Sequence, residues 1–266
     1  AEEVLDKEAL KALKKQLKKQ SKENKKGVKA AKGSHAKRVF VIEFKGDMQA
    51  SALDALRAEV DGILHIADKK DEVVVLLESP GGVVHSYGLA AAQLARIKDK
   101  GIHLTVIVDK VAASGGYLMA VIADKILAAP FAIIGSIGVV AQLPNLHRWL
   151  KEHHVDFEQI TAGDYKRTLT VFGKNTPEGR KKFSKEIEVI HQLFKKHVQH
   201  YRPSLVMDEV ATGEHWLASS AIELGLVDGL QTSDAYLLEL YQKQQLDLYQ
   251  VRFEQKTGLK QKLFSQ

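Results

Sequence analysis

Three short turns combine serine with glycine directly after apolar stretches, and together they hold the parts of a nucleophilic site. They are Ser79-Pro80-Gly81-Gly82, Ala112-Ala113-Ser114-Gly115-Gly116 and Gly135-Ser136-Ile137-Gly138. Paired glycines after a strand present free backbone N–H groups, which are the components of an oxyanion hole. Ser114 stands where a loop gives way to a helix, whose free amides and positive dipole end favour a developing negative charge. A plain helix N-cap is the alternative interpretation of Ser114.

A nucleophilic serine needs a base, and the sequence offers a histidine and a lysine for this role. Of the 11 histidines, His85 is the one close to a glycine turn, and it fits an exposed residue at the start of a helix equally well. Lysine acts as a base near neutral pH only when burial or positive charge lowers its pKa by roughly 3 units. Lys166 follows a predicted strand and stands next to Arg167, which makes it the lysine candidate.

Several other kinds of chemistry are excluded or disfavoured by the same residues. The chain has no cysteine, so it has no thiol nucleophile, disulfide or thiolate metal site. The glycine turns match neither of the phosphate-binding patterns G-x-G-x-x-G and G-x-x-x-x-G-K-[ST]. Ala112 stands two residues before Ser114, so the turn is not the G-x-S-x-G elbow of the α/β-hydrolases.

The elements around these turns alternate between apolar strands and amphipathic helices. Uniformly apolar strands separated by helices of this length are typical of βαβ units, so we predict an α/β fold. The predicted strands lie at about residues 39–44, 72–77, 102–108, 125–128 and 155–161, and the helices at about 51–68, 85–99, 115–123 and 146–153. Ligands of open α/β sheets bind at the carboxyl ends of the strands, so the three turns should converge on one site.

A long helix is predicted after the last of these strands. Thr176 is a good N-cap and Pro177 a good first helical residue, and the helix should run to about Tyr201, before Pro203. Its apolar positions form one stripe, which we expect to pack on the domain. The stripe consists of Phe183, Ile187, Ile190, Leu193 and Phe194.

The net charge of +6 is a property of the N-terminal tail. Residues 1–38 carry 13 basic and 5 acidic side chains, whereas the remainder carries 26 and 28. The globular part therefore has no excess of positive charge for tracking phosphates, and no nucleic-acid partner is predicted. The tail itself is predicted to be a short basic helix at about residues 2–20 followed by a linker. Three interpretations of this segment remain open: a solvated tail, a juxtamembrane segment that contacts anionic lipid, or a helix that binds a partner.

Five motifs, in order and with the same spacing, resemble the signal peptide peptidase A family of serine proteases, which is peptidase family S49. The Glu-Ser-Pro-Gly-Gly turn and the stretch Thr-Ala-Gly-x-Tyr-Lys-Arg-Thr-Leu-Thr are most similar to its SohB-type branch. The motifs cover about residues 39–233. They are Glu78-Ser79-Pro80-Gly81-Gly82, Asp109-Lys110-Val111-Ala112-Ala113-Ser114-Gly115-Gly116-Tyr117, Gly135-Ser136-Ile137-Gly138-Val139, Gly163-Asp164-Tyr165-Lys166-Arg167 and Gly225-Leu226-Val227-Asp228.

This resemblance implies a ClpP/crotonase-like fold and a Ser/Lys dyad that hydrolyses peptides or protein segments through an acyl-enzyme. Ser114 matches the nucleophile and Lys166 the general base. Ser136 matches the hydroxyl that orients the lysine amine, and the amides of Gly81 and Gly115 match the oxyanion hole. The family needs neither a metal nor another cofactor.

One residue departs from the pattern of the signal peptide peptidase A branch. That branch tends to have asparagine where this chain has Glu78, which borders the oxyanion turn. The substrate preference is therefore left open. Two rival functions also remain: a crotonase-like acyl-CoA enzyme that holds a thioester enolate in a paired-amide hole, and a non-catalytic ring scaffold at the membrane.

The resemblance further implies a location and an assembly. Members of the family are commonly tethered to the bacterial inner membrane by a single N-terminal helix, and no apolar run of this chain is long enough to be one. Basic segments typically come directly after a membrane span, so we expect the anchor to precede residue 1, with the side of the membrane open. We divide the chain into a juxtamembrane tail (1–38), a protease domain (39–235) and a C-terminal extension (236–266). A homo-oligomeric ring is expected, with a dyad that two subunits could share.

Overall fold

A six-stranded parallel sheet is the centre of the structure, which is a computed structural model that describes residues 36–254. The strands of the described region are β1 (Arg38–Lys45), β2 (Glu72–Glu78), β3 (His103–Val108), β4 (Val111–Ala113), β5 (Lys125–Ala128), β6 (Ile133–Gly135), β7 (His215–Leu217), β8 (Gly229–Leu230) and β9 (Asp247–Gln250). The main sheet has the order β8-β5-β3-β2-β1-β9, and a small second sheet has the order β4-β6-β7.

Helices connect the strands and cover the sheet. They are α1 (Leu53–Ile66), α2 (Val84–Asp99), α3 (Gly115–Ala120), α4 (His147–Glu152), α5 (Pro177–Tyr201), α6 (Met207–Val210), α7 (Ala218–Ala221) and α8 (Ser233–Gln242). The predicted α/β class is confirmed, because each parallel pair β1–β2 and β2–β3 is joined through a helix. The predicted basic helix at about residues 2–20 lies outside the described residues.

The apolar runs of the strands are explained by burial on both faces of the main sheet. The larger core packs α1, α2 and α3 on one face, where Phe40, Ile42 and Val75 point. The smaller core packs α8 on the other face, around Val39 and Val74. Residues 236–250, which we assigned to a C-terminal extension, contribute most of α8 and all of β9, and β9 pairs in parallel with β1.

The predicted strand at residues 155–161 is wrong. These residues have no regular structure and are exposed, as is most of residues 139–175, which we call the exposed arm. Val155, Phe157 and Ile160 favour a strand by residue type, but none of the described strands pairs with them. The arm folds back on itself instead, because the side-chain amide of Asn145 donates to the carbonyls of Thr170 and Gly173 at 2.9 and 3.0 Å.

The long helix α5 is confirmed, with the Thr176 hydroxyl accepting a hydrogen bond from the Gly179 amide at its start. Of the predicted apolar stripe only Phe194 is buried, and the other buried residue of the helix is Val198, one turn further on. Leu193 is 61% exposed, so its predicted burial is wrong. The N-terminal half of α5 runs beside the exposed arm rather than against the main core, and this leaves part of its apolar face uncovered.

A buried carboxylate ties the start of β2 to its surroundings. Glu72 accepts hydrogen bonds from the Thr105 and Tyr236 hydroxyls at 2.8 and 2.7 Å and from the Lys37 amine at 2.8 Å. Burial alone would raise the pKa of Glu72, but the bonds from Lys37, Tyr236 and Thr105 outweigh it and hold the pKa below its usual value. The ionised carboxylate therefore stabilises the folded chain.

We expect Glu72→Gln to lower the free energy of unfolding at pH 7 by about 2 kcal/mol, since three donors lose an ionised acceptor. Because the folded-state pKa is lowered, this stabilisation is present above the unfolded value of about 4.3 and is lost as the pH falls through the folded pKa. Urea unfolding of both proteins at pH 7 and at about pH 3.5 should show the difference shrinking. Glu223→Gln, at an exposed site, is the control. A difference independent of pH would contradict the role of the charge.

Candidate active site

The three serine–glycine turns meet at one place, as predicted. The amide of Ser79 donates to the Val111 carbonyl at 2.8 Å, and the Ala113 amide donates to the Ser79 carbonyl at 3.0 Å. One residue further on, the Ser114 amide donates to the Gly135 carbonyl at 2.8 Å. These backbone bonds align the carboxyl ends of β2, β4 and β6, so the convergence is confirmed.

Ser114 is held in a strained backbone conformation at the start of α3. Its φ is 51° and its ψ is −118°, a region that residues with a side chain rarely occupy. The side chain makes no capping hydrogen bond, so the interpretation of Ser114 as a plain N-cap is wrong. No group among the described residues bonds its half-buried hydroxyl, and that oxygen is not sealed from solvent. The hydroxyl is therefore not engaged by any other group within residues 36–254.

Gly81 crosses directly over the start of this helix. Its φ is +89°, and a Cβ built on it would lie 2.6 Å from the Gly115 nitrogen, 2.8 Å from the Ala113 oxygen and 2.8 Å from the Ser114 Cβ. A side chain on residue 81 would therefore collide with the backbone around the Gly115 amide. The Gly115 amide is the first of α3 and has no acceptor among the described residues.

The amide of Gly81 is already engaged, since it donates to the Ser79 hydroxyl at 3.1 Å. The next amide along the turn, that of Gly82, has no acceptor within residues 36–254. The glycine turn therefore offers Gly82 as its unoccupied donor, and the assignment of the Gly81 amide to an oxyanion hole stays a prediction.

Ser136 lies on the backbone segment next to Ser114. Its φ is 52°, which makes it the second serine of the site in the left-handed region. Its amide donates to the Glu214 carbonyl at 2.6 Å. The carbonyl of the preceding residue, Gly135, accepts the hydrogen bond from the Ser114 amide. The half-buried Ser136 side chain has no hydrogen-bond partner in the described part of the chain. Ser114, Ser136, Gly81 and Gly115 are thus brought together.

Lys166 is not brought to these residues. It lies exposed on the exposed arm, where its backbone amide donates to the Gly163 carbonyl at 3.2 Å. Its amine forms no hydrogen bond or ion pair with another described residue. A cavity of about 390 Å³ lies beside it, between the arm and the start of α5, lined by residues such as Tyr165, Arg167 and Glu178. The alternative base His85 is exposed at the second position of α2 and also has no polar partner among the described residues.

Two buried hydroxyl groups at this site were missed from the sequence. The sequence places Ser79 in the first glycine turn, and Tyr87 falls within the predicted helix at about residues 85–99. The structure places both side chains at 0% exposure behind Gly81, within hydrogen-bond distance of each other. The one available signal was the position of Tyr87, five residues after Gly82 and close to the start of the predicted helix at about residues 85–99.

The described residues contain no group of three or more histidine and acidic side chains arranged to hold a metal ion. No helix within residues 36–254 is long and apolar enough to cross a membrane.

Comparison with known proteins identifies the family. The profile of peptidase family S49 matches residues 96–247, and that of the peptidase family S49 N-terminal region matches residues 1–94. The chain belongs to peptidase family S49. The parallel sheet with helices on its faces is consistent with the ClpP/crotonase-like fold expected for S49.

Individual S49 relatives are similar over most of the chain. The probable protease SohB of Haemophilus influenzae is 58% identical over 208 residues, which are 78% of this chain and 59% of that protein. The probable protease SohB of Buchnera aphidicola subsp. Acyrthosiphon pisum is 55% identical over 77% of this chain and 61% of its own length. A putative protease of Synechocystis is 31% identical over 76% of this chain and 73% of its own length. The chain spans about three fifths of the two SohB relatives.

We expect Gly81→Ala to destabilise the protein by about 2 kcal/mol or more. The new methyl group meets backbone atoms of Ala113 and Gly115 that cannot rotate away, and the positive φ adds strain. The matched control is Gly62→Ala in helix α1, where a Cβ meets nothing within 4 Å. That change should stabilise by up to about 1 kcal/mol. Denaturant unfolding of both variants checks the pair, and equal effects would contradict the close approach at Gly81.

Proposed function

We propose that this chain is the catalytic part of a membrane-associated serine endopeptidase that works through an acyl-enzyme. The observation that carries the proposal is the unbonded Ser114 hydroxyl, fixed at a strained turn next to the free Gly115 amide. Strained backbone at a serine beside free amides is the arrangement expected of a preorganised nucleophile. Membership of peptidase family S49 supplies the reaction class, peptide-bond hydrolysis.

In the proposed reaction the Ser114 Oγ attacks the carbonyl carbon of the scissile peptide bond, and its proton passes to the neutral amine of Lys166. The oxyanion that forms lies against the Gly115 amide and the glycine turn. Lys166 then gives the proton to the leaving amine as the carbon–nitrogen bond breaks. Water, deprotonated by the same amine, hydrolyses the ester and restores Ser114. Ser136 orients the lysine amine.

We propose that the lysine reaches the serine of a second copy of the chain. Lys166 is exposed on the single chain, whereas a lysine base needs burial or nearby positive charge. The exposed arm that carries it presents a run of large apolar side chains to solvent, which is typical of an interaction surface. These are Val140, Leu143, Leu146, Trp149, Val155, Phe157 and Ile160. Docking of the arm on a neighbour would bury the lysine and complete the site.

The proposed location is the bacterial inner membrane. Residues 1–38 carry 13 basic and 5 acidic side chains, a charge that suits a segment next to anionic lipid. In the proposed arrangement this tail connects the protease domain, assigned to residues 39–235, to a membrane anchor in the whole protein.

Labelling with a fluorophosphonate probe tests the nucleophile. We expect the wild-type chain to be labelled and to cleave casein or a peptide library, and we expect Ser114→Ala to lose labelling and at least about 10³-fold in kcat. The fold should survive, because the Ser114 side chain makes no cap bond. The matched control is Ser204→Ala, at an exposed serine without a side-chain partner among the described residues. Labelling of Ser114→Ala at the wild-type level would refute the assignment.

Mixing two inactive variants tests whether the dyad is shared. Ser114→Ala and Lys166→Ala are each expected to be inactive, and subunit exchange between them should restore activity. At equal amounts about one site in four pairs an intact serine with an intact lysine, so about a quarter of the wild-type rate is expected. Subunit exchange is verified by fluorescence transfer between labelled copies. No recovery despite proven exchange would place the dyad within one chain.

A further inference from the structure

Behind the glycine turn lies a pair of buried hydroxyl groups that the proposed reaction does not use. The Ser79 Oγ and the Tyr87 hydroxyl oxygen are 2.6 Å apart, and both side chains are fully buried. The Tyr87 hydroxyl also bonds the Asp47 carbonyl at 2.7 Å, and the Ser79 Oγ accepts the amide of Gly81 at 3.1 Å. The groups form an unbroken chain of hydrogen bonds that ends on the turn.

The proton positions along these bonds are dictated by the groups at the two ends. A carbonyl only accepts, so Tyr87 donates its one hydroxyl proton to Asp47. Ser79 must then donate to Tyr87, which leaves its oxygen to accept from the Gly81 amide, a group that only donates. All three bonds therefore run in one direction, an arrangement in which each bond polarises the next. A tyrosine hydroxyl keeps its proton at neutral pH, and burial raises the pKa of Tyr87 further.

Close packing leaves these hydroxyls no alternative partners. A Cβ on Gly46 would overlap both the Tyr87 hydroxyl and the Ser79 Oγ, so the backbone at Gly46 packs directly against the buried pair. A Cβ on Gly115 would lie 2.5 Å from the Tyr87 ring carbon Cγ. Tyr87 thus contacts both sides of the site: its hydroxyl reaches the glycine turn, and its ring lies against the first residue of the helix after Ser114.

We propose that Ser79 and Tyr87 are positioning residues for the oxyanion hole, a relay that fixes the Gly81-Gly82 turn at the correct distance from the Gly115 amide. The relay engages the Gly81 amide and holds the turn so that the Gly82 and Gly115 amides stay unoccupied. This inference rests on the proposed function. An oxyanion hole stabilises a negative charge that develops in the transition state and is absent from the bound substrate. Displacement of the turn should therefore lower kcat and leave substrate affinity nearly unchanged.

The experiment compares four variants of the full chain on one peptide substrate. Tyr87→Phe removes the relay's hydroxyl and keeps the ring on Gly115, Ser79→Ala removes the other hydroxyl, and the double variant removes both. Tyr117→Phe is the matched control, because Tyr117 is equally buried and its hydroxyl likewise donates to a backbone carbonyl, that of Leu226 at 2.9 Å. Thermal unfolding of all four measures the loss of stability separately from the kinetics.

We expect each relay variant to lose about 10-fold in kcat with KM changed by less than about 2-fold, whereas Tyr117→Phe should lose stability to a similar extent and keep its kcat. Because both hydroxyls act through one chain of bonds, the double variant should lose about as much as either single variant, not the roughly 100-fold product of independent effects. The inference is overturned if kcat of Tyr87→Phe matches the control, if the loss lies in KM, or if the losses multiply. A wild-type chain that neither cleaves nor takes the fluorophosphonate label refutes the proposed function, and the inference with it.

Discussion

The candidate site depends on one contact, the double hydrogen bond that joins the backbone of Ser79 to the strand leading into Ser114. The Ser79 amide donates to the Val111 carbonyl, and the Ser79 carbonyl accepts from the Ala113 amide. Ala112, between these two residues, is the partner of Ser79 in an isolated β-bridge. This contact ties the end of the main sheet to the second sheet. This contact sets the distance between the two parts of the site, because the glycine turn follows Ser79 directly and the start of α3 follows Ala113.

Such a close approach dictates the amino acids on both sides. A Cβ on Gly116 would overlap the Ser79 carbonyl oxygen, and a Cβ on Gly81 would reach the Gly115 amide. The glycines therefore have a packing role before any chemical one: they let two backbones approach until amide groups face the same small space. The positive φ of Ser114 is held in place by the same network, since the Ser114 amide bonds Gly135 and its carbonyl accepts from Leu118 in α3. The rigid parallel sheet beneath supplies the stability that a strained serine requires.

Much of this arrangement was readable from the sequence, because its signals are local. Apolar runs such as residues 72–77 indicate strands buried on both faces, and the order of strand, glycine turn and helix predicts where the turns meet. The free state of the Ser114 hydroxyl was not readable, since a serine at a helix start is ordinarily a cap. The hydrogen-bonded pair of Ser79 and Tyr87 was not readable either, because the Tyr87 hydroxyl also bonds the carbonyl of Asp47, 40 residues before it in the chain. No local pattern reports such a contact.

The remaining failures of prediction lie on the exposed arm and on helix α5, and they have one physical cause. Val155, Phe157 and Ile160 were expected in a strand, and Leu193 was expected against the core, because apolar side chains are normally buried. On the single chain these side chains are exposed, and so is Lys166. A pattern of apolar residues predicts that their side chains are buried. It does not indicate whether the same chain or another molecule buries them. The surroundings of Ser114 are assembled within one chain, whereas Lys166 lies on the exposed arm. In the shared-dyad proposal, burial of the apolar side chains of the arm drives assembly, and the same contact buries Lys166. A subunit then acquires a complete site only when its neighbour is in place.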